Sequence, residues 1–292
     1  MIAVANAPLS YGAFEMTVGT DFPVPDPERV LAAMADAGYA GTDLGPPGYL
    51  GDVATLRERL GDFDLVGGFV PVAFSERERD FGGLHETLDL FDAAGARGAR
   101  PVLCDAGGPE RIANPGAGAA LALDGTRWRT LVDGVARAAE VARERGYEPV
   151  FHHHTSTYVE GVPEIERFLE DTDVELLLDS GHLLVAGGDP LRGLEDWRSR
   201  IGAVHIKDAR LDVVAAVKAE RADTLTAWRR GMFCALGQGD ADLAAFCAAL
   251  RDYDGWVVVE QDRVLADLDG DFDRAVAEQV ANREWLREHA GW

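Results

Sequence analysis

Short aliphatic runs recur along the chain, among them Val150-Phe151, Leu176-Leu177-Leu178, Ala203-Val204 and Val257-Val258-Val259, and each stops at a residue carrying an imidazole or a carboxylate. Between such runs lie stretches whose apolar positions fall three and four apart, the period of a helix packed on one face. The alternation predicts strands near residues 2–5, 40–44, 65–70, 100–104, 148–152, 174–179, 203–206 and 255–260. It predicts helices near residues 26–37, 52–60, 83–94, 125–145, 163–170, 190–198 and 272–289. Asp26-Pro27 reads as an N-cap followed by a first-turn proline, and Gly38 as the matching stop. Eight strand–helix units without a Pro/Gly/Ser-rich linker predict an α/β fold, a single (β/α)8 TIM barrel spanning residues 1–292. Residues 211–250 exceed what one crossover needs and are expected to extend over the active-site face as a lid. No G-x-G-x-x-G follows the first strand, which argues against a dinucleotide-binding sheet.

Composition narrows the partners. Of 292 residues 47% are hydrophobic, enough for a large core, yet no 18-residue apolar stretch occurs. Met1-Ile2-Ala3-Val4-Ala5 lacks the basic flank of a secretory signal, so the chain reads as soluble and cytoplasmic. Cys104, Cys234 and Cys247 are far apart and form no C-x-x-C, which speaks against a disulfide framework or a structural zinc site. A formal charge of −23 opposes nucleic acid and acidic membrane surfaces, leaving a small molecule as the expected partner. No residue marks a homo-oligomer contact, although pairing through barrel-face loops is compatible with the fold.

The candidate chemistry sits at the strand ends. Alternate residues of a strand share a face, so His152 and His154 point one way and His153 the other, while His205 and Lys207 form a second same-face pair. With Asp179 and Glu260 facing inward, His152, Asp179, His205 and Glu260 converge from strands five to eight as a two-imidazole, two-carboxylate metal shell. Such mixed donors suit Mn, Co, Fe or Zn better than calcium. His154 and His182 are expected beside that shell or on the substrate, steering a ligand or moving a proton. Only Lys207 and Lys218 are lysines among 28 basic residues, so Lys207 reads as an ammonium that holds a substrate oxygen or an enolate, against a solvated rim charge. Asp43 and Glu15 are placed to reach the pocket from the first two strands, and Arg210 either to clamp a substrate hydroxyl or to pair with the abundant acids. His85 and His289 fall on helix surfaces; Trp128, Trp228 and Trp256 belong to the core or the pocket wall.

At these residues the chain resembles the sugar isomerase/epimerase superfamily with the xylose isomerase-like barrel, and within it the inosose (2-keto-myo-inositol) dehydratase branch. The resemblance runs through residues 41–50, Gly68-Phe69-Val70-Pro71, His152-His153-His154-Thr155, Leu178-Asp179-Ser180-Gly181-His182, His205-Ile206-Lys207-Asp208, Phe233 to Gly239 and Tyr253 to Asp262. It implies a divalent cation, Mn or Co foremost with Zn, Fe or Mg also compatible, and a role in inositol catabolism. His152 stands where the epimerases carry a glutamate, so that only Glu260 remains of their pair of proton-moving carboxylates. One base suffices for a dehydration: Glu260 or His154 takes the proton, the metal and Lys207 stabilise the enolate, and His182 or a metal-bound water assists departure of the hydroxyl. Residues 8–15 depart from the pattern of the dehydratases, and no phosphate-cradling loop appears, so an unphosphorylated polyol or keto-sugar is expected. A ketose isomerase or 3-epimerase is the alternative activity, and a metal-dependent sugar-binding protein the non-catalytic one. An abasic-site endonuclease, which has a related barrel, is disfavoured by the net charge.

Overall fold

A computed structural model describes residues 2–292. Its strands are β1 (Ala3–Asn6), β2 (Gly41–Asp43), β3 (Asp64–Val72), β4 (Arg100–Asp105), β5 (Val150–His152), β6 (Glu175–Asp179), β7 (Ile201–Ile206), β8 (Asp208–Ala209), β9 (Phe233–Cys234) and β10 (Trp256–Val259). All but β8 and β9 pair in parallel, and β1 hydrogen-bonds both β2 and β10, which closes an eight-stranded barrel. The expected strand–helix order is present in full. The helix Pro27–Ala37 begins after Asp26 and ends at Gly38, whose φ of +87° lets its N–H turn back onto the carbonyls of Met34 and Ala35.

Strand parity divides the core into two. Phe151, Leu176, Leu178, Val204, Ile206, Val257 and Val259 face the surrounding helices, and Phe151 stacks on Phe168 at 4.1 Å. Their neighbours Val150, Leu177, Ala203 and Val258 fill the barrel interior instead. One step of the same parity above these four come His152, Asp179, His205 and Glu260, each the next inward position of its strand or just past its end. The apolar layer is thus the floor of whatever those four side chains do.

Two local differences from the sequence expectation have physical causes. The second helix covers only Leu56–Leu60, because the Asp52 carboxylate accepts the N–H groups of Ala54 and Thr55 at 3.0 Å and holds residues 52–55 as a turn. The long segment after β7 carries an antiparallel ribbon, Asp208 opposite Cys234 and Ala209 opposite Phe233, around the helices Leu211–Glu220 and Thr224–Arg229. Buried Asp208 secures that ribbon by accepting the N–H groups of Ala209, Gly237, Gly239 and Ala241 at 2.9, 2.9, 3.0 and 3.2 Å. A side chain at Gly239 would come within 2.3 Å of the same carboxylate, so the glycine is required for the close approach. Among the described residues no helix is long and apolar enough to cross a membrane.

Asp208→Ala leaves those donors unpaired and is expected to lower stability by roughly 2–4 kcal/mol. Equilibrium denaturation measures it, and an unchanged midpoint would show that the carboxylate does not secure the ribbon.

Candidate active site

His152, Asp179, His205 and Glu260 are all buried, and each offers a ligand atom within 4.8 Å of the other three. His152 Nε2 lies 3.8 Å and His205 Nδ1 3.7 Å from Asp179 Oδ2, and His205 Nδ1 is 3.0 Å from Glu260 Oε2. Donors about 2.0–2.2 Å from one cation stand roughly 3–3.5 Å apart, so these edges need only a small contraction to close on an ion. Asp179 Oδ2 and His205 Nδ1 have no aligned hydrogen-bond partner although both are buried. Unpaired buried donors of this kind are costly unless something is coordinated to them. The group fits a divalent cation.

Charge leads to the same conclusion. Lys207, 1% exposed, places Nζ 3.3 Å from Asp179 Oδ2, 3.0 Å from Glu260 Oε2 and 3.1 Å from Asp262 Oδ1. Burial and the neighbouring cations hold His152, His154 and His182 below the ordinary imidazole range, hence neutral at pH 7. One ammonium therefore faces three carboxylates and leaves two negative charges over. Part of that excess is taken up by a proton on His205: burial would lower it, but Glu260 and Asp179 overcome burial and raise it to about 10.

A second group lies alongside: His154, His182 and Asp262. The rings of His154 and His182 lie with centroids 3.8 Å apart and their planes tilted by 39°. His154 Nδ1–H donates to the Thr155 carbonyl at 2.8 Å, which leaves its Nε2 unprotonated. An ammonium only donates, so His182 Nε2 must accept from Lys207 at 3.0 Å. His182 Nδ1 accordingly carries the proton and donates to Thr155 Oγ1 at 2.9 Å, with the Thr155 N–H a longer contact at 3.3 Å. One threonine fixes both imidazoles.

These groups border a cavity of about 350 Å³ whose wall includes His152, His154, His205, Lys207, Glu260, Asp262, Asp43 and Glu15. Asp43, 5% exposed, is raised to about 6, chiefly by burial. Glu15 borders the cavity and is exposed to solvent; desolvation, then repulsion from Asp43, Glu260 and Asp262, raises its carboxyl above the ordinary range, an effect that solvent tempers. The roof comes from three loops. Ser156, held at φ +72°, shares a 2.5 Å hydroxyl contact with Thr224, and Thr224 donates to the Ile112 carbonyl at 3.0 Å. Behind them Glu160 accepts from the N–H groups of Ser156, Gly116 and Gly118 and pairs with the fully buried Arg111 at 3.0 Å.

The xylose isomerase-like TIM barrel model matches residues 31–289. The chain belongs to that family. Among its relatives are inosose dehydratase of Geobacillus kaustophilus (strain HTA426), 37% identical over 81% of this chain and 80% of the other, and inosose dehydratase of Erwinia tasmaniensis, 32% identical over 90% of each. Solved structures of the same fold include L-ribulose 3-epimerase, with a TM-score of 0.67, 17% identity and coverage of 100% of this chain and 95% of that one. Another is the IOLI protein with a bound zinc atom, with a TM-score of 0.65, 16% identity and coverage of 99% and 98%.

On this xylose isomerase-like barrel the positions singled out in the sequence do not all meet. His182 is fully buried behind His154 and Lys207 and does not line the cavity. Arg210 lines a separate recess of about 260 Å³ and lies 3.5 Å from Gln238, turned there by the β8–β9 ribbon. Trp228 lines the cavity, whereas Trp128 and Trp256 pack in the core, and His85 and His289 are exposed. Sequence reasoning passed over Asp262 and Thr155. The first was findable as the position two beyond Glu260; the second carries no signal beyond its place after three histidines.

Cation binding by the four-residue group requires a neutral His205, which in the metal-free protein holds a proton up to about pH 10. Mn²⁺ titrated into chelator-treated protein at pH 7–8 is therefore expected to release about one proton per ion, with affinity rising roughly tenfold per pH unit. Calorimetry in buffers of different ionisation enthalpy reads this directly, and a pH-independent affinity would show that His205 gives up no proton on binding.

Proposed function

We propose that this chain is a metal-dependent hydro-lyase that dehydrates an unphosphorylated keto-cyclitol of the inosose type, with Mn or Co as its cation, in cytoplasmic inositol catabolism. The observation that carries the substrate class is the character of the cavity wall. Among the described residues of the wall Lys207 is the one lysine or arginine and is already engaged by three carboxylates, while Glu15, Asp43, Glu260 and Asp262 all border the cavity. Such a wall repels a phosphate and offers acceptors to hydroxyls. About 350 Å³ lies in the range of small-molecule sites. The relatives named inosose dehydratase support the reaction class.

His152, Asp179, His205 and Glu260 would hold the cation, which when bound supplies Lewis-acid polarisation of a substrate carbonyl. His154, neutral because burial brings it to about 4, lines the cavity with its Nε2 left unprotonated and would take the proton from the carbon next to that carbonyl. Glu260 is the alternative base, but Lys207 and His205 hold it below the ordinary carboxylate range against the effect of burial, and so lower its basicity. Lys207, whose hold on Asp179 and Glu260 a bound cation would take over, would then have a hydrogen to give the enolate oxygen as charge develops there. The β C–O bond then breaks and the leaving hydroxyl takes a proton from Glu15, a carboxyl that borders the cavity and whose acidic neighbours favour its protonated form. The products are an unsaturated ketone and water. His182, kept from the cavity, acts by holding Lys207 in place.

With Mn²⁺ or Co²⁺ and 2-keto-myo-inositol in deuterium oxide, loss of water and an enone chromophore are expected, and His154→Ala should lower kcat by about 10²–10⁴. Deuterium exchange without loss of water would instead support a ketose epimerase. Tight binding with no turnover would support a sugar-binding protein.

A further inference from the structure

Three donor atoms next to the proposed cation site have the disposition of a second one. His154, His182 and Asp262 each offer a ligand atom within 4.8 Å of the other two. Both imidazoles donate from Nδ1 to Thr155, which leaves Nε2 of each as a lone pair, the arrangement by which metal-binding histidines are oriented. Asp262 Oδ2 is buried and unpaired. Two nitrogens and a carboxylate oxygen are a donor set for Zn²⁺, Co²⁺ or Mn²⁺. Yet Lys207 Nζ lies 3.0 Å from His182 Nε2 and 3.1 Å from Asp262 Oδ1.

The ammonium is held there by its surroundings. Ser180 Oγ donates to the Lys207 carbonyl at 2.7 Å and accepts its N–H at 2.9 Å. The aliphatic stem packs so tightly on Gly181 that an added Cβ would come within 2.6 Å of it. The charged end lies 4.8 Å from the centre of the Phe233 ring. An ammonium and a divalent ion cannot share these donors, since like charges a few ångströms apart in a buried site repel strongly.

We propose that Lys207 is a built-in substitute for a second divalent cation, so that His154, His182 and Asp262 form a latent metal site which the ammonium fills. The chain then binds one exchangeable ion, and the second positive charge is covalently part of it. Lys207 lies against Asp262, and a divalent ion between Asp179 and Glu260 would neutralise those two, so these three carboxylates balance with one metal only. The inference rests on the first group holding a cation, as proposed above.

Metal-free protein is dialysed against Mn²⁺, its metal content measured by elemental analysis, and its electron paramagnetic resonance spectrum recorded. Wild type is expected to bind one ion with the spectrum of an isolated centre, and Lys207→Met to bind two that are magnetically coupled. Lys207→Met combined with His182→Ala should return to one. A wild type that binds two ions, or a Lys207→Met protein that still binds one, overturns the proposal; a wild type that binds none instead sinks the proposed cation site itself. Lys207→Gln, which keeps the stem on Gly181 and removes the charge, carries the same test should the methionine variant not fold.

Discussion

A single ammonium buried among three carboxylates organises this end of the barrel. Lys207 could not stay charged in the interior without Asp179, Glu260 and Asp262, and those acids could not be buried together without it. The interaction ties the ends of β6, β7 and β10 to one point. Burial keeps His154 and His182 neutral, and the Lys207 charge adds to that effect. Breaking one partner of such a cluster costs far more than a surface ion pair, since an uncompensated charge remains in a low-dielectric site.

Much of this was legible in the chain because the strand has a period of two. Where an aliphatic run ends, parity alone says that His152 and Val150 look inward and Phe151 outward, and the packing follows it. Parity stops being informative where the strand stops. Asp262 lies beyond the end of β10 and Thr155 beyond that of β5, so the loops rather than the pleat aim their side chains. Arg210 shows the same limit: three residues past Lys207 it would have remained at the cavity rim, but the ribbon closed by Asp208 and Cys234 carries it into a neighbouring recess. The Arg111–Glu160 pair left no trace in any periodicity, since Arg111 sits in the single-turn helix Pro109–Ile112 and Glu160 in a loop, joined only by tertiary folding.

At the end of β5 an imidazole, His152, joins the group as a neutral donor, so the negative charge there comes from Asp179 and Glu260 alone. His154, two residues further on, borders the cavity with its Nδ1 committed to the Thr155 carbonyl. The barrel this chain shares with its relatives does not by itself decide the reaction, which depends on the side chains carried at the strand ends.

The chain of contacts from Ile112 through Thr224 and Ser156 to Glu160 and Arg111 makes the covering of the cavity behave like an arch. No stone of it stands by itself, since each hydroxyl or carboxylate is satisfied by a different loop. Exchanging one loop with that of a relative would strand the partners left behind, so a change of substrate range by loop grafting has to carry all three segments across together.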